Sequence, residues 1–174
     1  MSGTTPDPPH PAAEPPDRLL ARCEVRFSRR SGPGGQNRNK VETAAILTHR
    51  PTGLSAEANE RRSQGENRAV ALMRLRVNLA LEIRRPTDRE SGPSPLWRSR
   101  LKGGRILVSP RHDDFPALLA EALDELQDAD ADVKRAADRL GCSASQLVKL
   151  LKLEPRALKR VNDRRDELGL RPLL

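Results

Sequence analysis

With 174 residues, a formal charge of +8 and aromatic residues at only 2%, the chain has room for one domain or two small ones and lacks the stacking platform that reads single-stranded bases. No run of about 18 apolar residues occurs, which excludes a membrane-spanning helix, and two distant cysteines with three scattered histidines offer neither a disulfide framework nor metal-ligand spacing. The charge is unevenly placed: residues 26–105 hold 18 basic and 7 acidic groups, whereas residues 1–25 and 106–174 come out at −2 and −1, so the surplus that suits a polyanion sits in the first folded segment.

Residues 1–22 contain six prolines and few large apolar side chains, the composition of a disordered tail. The stretch has neither the apolar run of a signal peptide nor the arginine-rich, acid-poor make-up of a mitochondrial leader. Alternation predicts a strand over 24–30, a second over 41–49 and a third over 54–59, the last two joined as a hairpin by the turn Arg50-Pro51-Thr52-Gly53. A helix then begins at the capping-box sequence Ser63-Gln64-Gly65-Glu66 and carries Leu72, Leu75, Leu79 and Ile83 as a core stripe, with Arg68, Arg74, Arg76 and Arg84 among the remaining positions. Residues 86–105, rich in proline and glycine, read as a linker or a wrapping loop. A second helical region follows: 113–127, capped by Asp113 or Asp114 with Pro116 in its first turn; a helix-turn-helix pattern over 132–152, with Ser143 and Gln146 as a second capping pair; and a last helix from Pro155 to Gly169.

The expected fold is thus α+β. A small antiparallel sheet with a glycine-rich loop packs on a long helix (23–85) and is followed by an all-α region (106–174).

Between the first two strands runs Ser31-Gly32-Pro33-Gly34-Gly35-Gln36-Asn37-Arg38-Asn39-Lys40. Gly34 and Gly35 open backbone conformations closed to other residues and permit close approach to a partner. Gln36 titrates nowhere near neutrality, so the tip is not an acid–base pair of the histidine or glutamate kind. A Gly-Gly-Gln tip can instead position a water and donate a backbone N–H to a developing oxyanion, provided that something else supplies the site. Arg29, Arg30, Arg38 and Lys40 would carry it into a phosphate-lined cavity. A nucleotide-binding glycine loop is excluded, because no Lys-Ser/Thr pair follows and no parallel-sheet pattern surrounds it.

The ordered series Ser31–Gln36, Asn39-Lys40, Thr48–Gly53 and Arg62-Ser63-Gln64 with Asn67 resembles the catalytic domain of class I peptide chain release factors and of the codon-independent ribosome-rescue peptidyl-tRNA hydrolases, over residues 24 to about 85. The resemblance implies an activity: the loop enters the peptidyl transferase centre of the large ribosomal subunit and hydrolyses the ester joining peptide to tRNA. It implies Gly34, Gly35 and Gln36 as the catalytic tip, with water placed by Gln36 and the transition state held by its backbone N–H. It implies that Arg29, Arg30, Ser31, Arg38, Asn39 and Lys40 touch ribosomal RNA, and that Arg62, Ser63, Gln64, Asn67 and Arg68 contact RNA or brace the loop. It implies a monomer with no cofactor, acting in the cytoplasm and away from membranes, with the Gln36 amide nitrogen open to a glutamine methyltransferase.

The chain departs from both branches. It is expected to lack the codon-reading domain of the release factors, and its near-neutral 106–174 differs from the long basic tail of the rescue enzymes. Among residues 149–165 the local excess of Lys149, Lys152, Arg156, Lys159, Arg160, Arg164 and Arg165 suits either RNA or a solvated helix surface. Two readings without hydrolysis stand beside the enzyme: a nucleic-acid-binding module built on the helix-turn-helix, and a ribosome-bound accessory protein whose chemistry is idle.

Overall fold

The computed structural model describes residues 9–29, 43–87 and 92–174. Three strands, β1 (Cys23–Ser28), β2 (Ala44–His49) and β3 (Ser55–Ala58), form an antiparallel sheet in the order β1-β2-β3. Register follows the apolar alternation, with Val25 opposite Leu47 and Leu47 opposite Ala56. The expected turn closes β2 onto β3: the Gly53 N–H donates to His49 O at 2.8 Å, and Gly53 adopts φ +72°, the left-handed region that glycine enters freely. His49 is fully buried beside the turn, with Nδ1 2.9 Å from the Thr52 hydroxyl.

Helix α2 (Gln64–Glu82) lies across β2 and β3. The edge strand β1 is left with Val25 and Phe27 at 36% and 37% exposure, although the alternation alone assigns both to the core. Conversely, α2 is buried on more than its leucine stripe, because a second layer covers its other side. Arg76 is buried there and its Nε donates to Ala12 O at 3.1 Å.

That second layer includes residues 9–22, which fold rather than trail. A 3-10 turn, Pro11–Ala13, leads into α1 (Pro16–Ala21), and Ala12 and Leu19 are fully buried. Among the described prolines of this stretch, Pro11 and Pro16 stand at the first positions of these helices, where a missing N–H costs nothing. His10 fastens the turn: the Ala12 N–H donates to Nδ1 at 3.0 Å, so Nε2 carries the proton and donates to Ile83 O at 3.1 Å. The first bond needs the neutral ring, because a protonated Nδ1 can no longer accept, whereas Nε2–H donates in either form. Burial, with Arg84 and Arg85 nearby, lowers the His10 pKa from 6.5 to about 4. A histidine depressed in the folded state contributes stability above its unfolded pKa and loses it as pH falls towards the folded value. The stability advantage of wild type over His10→Gln should therefore shrink by about 2 kcal/mol between pH 7 and pH 4.5. Urea denaturation of both proteins at the two pH values measures this, and an unchanged gap excludes the neutral-ring fastening. Taking the difference removes the opposite-signed contribution of Asp124, whose carboxyl is pushed by burial up to about 6.

In the stretch read as a linker or a wrapping loop, residues 94–106 hold regular structure as well. Helix α3 (Pro95–Arg100) is capped by Ser94, whose Oγ accepts from the Trp97 N–H at 3.0 Å. A short hairpin, β4 (Leu101–Lys102) and β5 (Arg105–Ile106), turns through Gly103 and Gly104, both at positive φ. Helix α4 (Phe115–Asp128) holds this connection along one face: Asp124 accepts from Arg85 N at 3.1 Å, Asp128 from the Thr87 hydroxyl at 2.6 Å and Glu121 from the Ser94 hydroxyl at 2.6 Å. Asp114 occupies the N-cap position of α4 without capping it, because its carboxylate is spent on Arg100 at 2.5 Å.

Helices α5 (Val133–Leu140), α6 (Ala144–Lys152) and α7 (Pro155–Glu167) complete the chain. Gly141 at φ +68° ends α5, and Ser143 caps α6 by accepting from the Gln146 N–H at 3.3 Å. One contiguous core joins Leu47 and Leu75 to Trp97, Leu118, Leu147 and Val161. The packing therefore runs through the boundaries expected at 85 and 105, and the C-terminal helices share the core of the sheet and α2 instead of closing their own.

Candidate functional site

Residues 29–43 connect two strands that are neighbours in the sheet, and the Ser28–Ala44 pair sets both ends of the connection at one end of it. Fifteen residues is long for such a link, and connections of that length in compact domains usually carry function. Gly34, Gly35, Gln36, Arg30, Ser31, Arg38, Asn39 and Lys40 lie outside the described residues. Arg29 is exposed on the approach.

The far end of the connection is held by Asn67, and its role becomes plain only in three dimensions. Asn67 is fully buried one turn into α2. Its Nδ2 donates to Thr43 O at 2.7 Å and to Arg61 O at 3.0 Å, and its Oδ1 accepts from Arg61 N at 2.8 Å. The amide thus ties together the exit of the glycine-rich connection, the segment before α2 and the helix itself. With no exposed surface it braces, and it has nothing to offer an RNA. Asn67→Ala leaves one buried donor and two buried acceptors without partners, a cost of about 2–3 kcal/mol. Chemical denaturation checks this, and a loss below about 0.5 kcal/mol removes the brace.

Ser63 is the N-cap expected of it: its Oγ accepts from Glu66 N at 3.1 Å and donates to the Glu66 carboxylate at 3.0 Å. Gln64 opens α2 on the exposed side. Arg62 and Arg68 are exposed, and so is Arg61, which the motif comparison passed over although it stands beside Arg62 in the sequence. None of these three guanidinium groups forms an ion pair with a described residue. Farther along, the arginines are committed: Arg74 of α2 pairs with Glu60 at 2.5 Å, and Arg84, just past the helix, with Asp124 at 2.8 Å. Cations at a helix N-terminus face the positive end of its dipole, typically unfavourable by about 0.3–1 kcal/mol each. Arg61 and Arg62, exposed and without an ion pair to any described residue, make a positive patch before α2 that suits an anion. Among the described residues no three His, Cys, Asp or Glu side chains gather to hold a metal ion, and no helix is long and apolar enough to cross a membrane.

This architecture, with a glycine-rich connection, a three-stranded sheet and a braced helix, coincides with a family match. Residues 20–99 match the RF-1 domain. Chloroplastic peptide chain release factor PrfB1 of Arabidopsis thaliana is 46% identical over 67 residues, covering 37% of this chain and 15% of that protein. Peptide chain release factor 1 of Rickettsia typhi is 37% identical over 90 residues, 51% of this chain and 25% of that protein. Peptide chain release factor 1 of Rickettsia africae is 36% identical over 108 residues, 61% of this chain and 30% of that protein. Residues 20–99 thus resemble the class I peptide chain release factors, and the chain spans at most about a third of the length of these relatives.

Proposed function

We propose that this chain acts in translation termination as a codon-independent peptidyl-tRNA hydrolase, working on ribosomes from the A site. The observation that carries the reading is the Gly34-Gly35-Gln36 sequence, set in a connection whose exit is fastened by a buried amide, inside a matched RF-1 domain. The chemistry follows from the residues. The ester joins the peptidyl carbonyl to a ribose hydroxyl of tRNA. Water adds to the carbonyl carbon, the tetrahedral oxyanion forms, and the ribose oxygen leaves with a proton. The Gln36 N–H donates to developing charge, its side chain admits and orients the water, and Gly34 and Gly35 let the backbone approach without steric conflict. The ribosome excludes bulk water and holds the ester. Arg61, Arg62 and Arg68 line the rim as phosphate contacts, together with Arg29, Arg30, Arg38 and Lys40. Codon independence is taken from the resemblance to the ribosome-rescue enzymes. The protein works as a monomer in the cytoplasm without a cofactor, and the Gln36 amide is a substrate for a glutamine methyltransferase.

The test is peptide release from purified ribosomes carrying peptidyl-tRNA in the P site, with the A site empty, at a stop codon or at a sense codon. Equal release from all three establishes the codon-independent reaction. Release confined to stop codons replaces it with decoding. Binding without release in any complex leaves the accessory reading.

A further inference from the structure

Outside the RF-1 match, the cations of the C-terminal helices divide into two groups. Those of α7 are spent: Arg156 pairs with Glu154 at 2.8 Å, Lys159 with Asp163 at 2.7 Å, Arg164 with Glu167 at 2.9 Å and Arg160 with Glu82. Arg165 donates to Ala131 O and Arg171 O at 2.5 and 2.7 Å. Lys134 of α5 and Lys149 and Lys152 of α6 are exposed and form no ion pair with any described residue. The fold brings these three to the wall of one groove of about 590 Å³ between α5, α6 and the C-terminal residues.

On α6, Ser145, Val148, Lys149 and Lys152 fall on one helical face, while Leu147, Leu150 and Leu151 are buried. Val148 and Leu173 give the groove a half-buried apolar lining. Asp132, its one acidic side chain, is occupied in capping α5: it accepts from the Lys134 and Arg135 N–H groups at 3.0 and 3.1 Å. Asn162 pins the C-terminal wall by accepting from Leu173 N at 2.7 Å and donating to Leu173 O at 3.1 Å. The groove is concave, its lysines outnumber its one acidic side chain, and it is larger than a single ion needs.

We propose that this groove binds the phosphodiester backbone of RNA and forms an anchor separate from the glycine loop. The α5–α6 pair has the helix-turn-helix form, but the major groove of an RNA duplex is too deep and narrow for side chains to read, and the α6 face in the groove offers two lysines and a serine. Lysine is a compact point charge suited to phosphate. The contact is therefore made without reading base sequence. The choice of RNA rests on the ribosomal site of action proposed above.

The experiment measures anisotropy of a fluorescein-labelled 20-nucleotide RNA stem-loop with the full chain, between 50 and 200 mM salt. K149Q/K152Q should weaken binding on the order of tenfold and flatten the log–log salt slope by about 1.4–1.8, the share of two phosphate contacts. R160Q/R164Q removes the same formal charge from paired side chains and should change affinity less than about twofold. K149R/K152R should bind as wild type does, which separates charge from folding. Equal losses in the two glutamine variants reduce the effect to net charge and overturn the site. Competition by polyglutamate as effective as by unlabelled RNA reassigns the groove to an acidic protein segment and overturns it too. Free-RNA binding is independent of ester hydrolysis. A chain that releases no peptide but binds RNA through Lys149 and Lys152 therefore loses the catalytic reading alone, and one that releases peptide while K149Q/K152Q binds normally loses this one alone.

Discussion

Gln36→Pro should lower the rate of peptide release by about 100–1000-fold, the usual effect of removing one oxyanion donor. Proline has no backbone N–H, so the substitution deletes the group proposed to meet the negative charge of the tetrahedral intermediate. Gln36→Ala keeps that N–H and removes only the side chain that orients water. Its loss in water-dependent release should be smaller. With a small amine nucleophile such as hydroxylamine in place of water, Ala should approach wild type while Pro remains slow. Single-turnover release with saturating protein gives the chemical step, and the melting temperature of each variant is recorded alongside. If Ala and Pro prove equally impaired with both nucleophiles, the N–H has no separate role and the tip works through its side chain alone.

Trp97→Ala should destabilise the chain by about 3–5 kcal/mol, the range for truncating a buried aromatic. Trp97 is 1% exposed. Its Nε1 donates to Leu140 O at 2.8 Å, the carbonyl at the end of α5. The indole therefore fastens the connection after α2 to the C-terminal helices by packing and by one buried hydrogen bond. Trp97→Phe separates the two: most of the ring is retained and the carbonyl is orphaned, at about 1–3 kcal/mol. Equilibrium denaturation should show a single transition for wild type, because the core is continuous from β2 to α7. A cost below about 1 kcal/mol for Trp97→Ala, or two separate transitions, means that the C-terminal helices fold on a core of their own.

The elements that the sequence disclosed are those whose signal is local. The hairpin turn at Arg50–Gly53, the capped start of α2 and the Gly141 break between α5 and α6 are each specified by residues within one turn of the backbone feature they cause. What escaped was decided by distant partners. Residues 9–22 are ordered because Ile83 and Arg76, far along the chain, supply the hydrogen bonds that their composition does not imply. Arg76 is buried although arginine in a helix ordinarily marks the solvent side, and Val25 and Phe27 are exposed because α2 covers only two of the three strands. At the site, the motif supplied Asn67 without its function: an asparagine with all three hydrogen-bonding partners inside the protein is indistinguishable, in one sequence, from one that faces RNA. Arg61 was visible but unremarked, since nothing local separates it from its neighbour.

Helix α2 spans 19 residues, about 28 Å at 1.5 Å per residue. Its first turn is tied to the exit of the glycine connection, and its later turns are packed between the sheet and α4. The helix is therefore a gauge block. It holds the exit of the glycine-rich connection at a set distance from the C-terminal helices, with no hinge of its own between them. On the function proposed above, a ribosome gripping those helices would fix how deep the tip reaches, so the spacing of the two surfaces becomes a condition of fit.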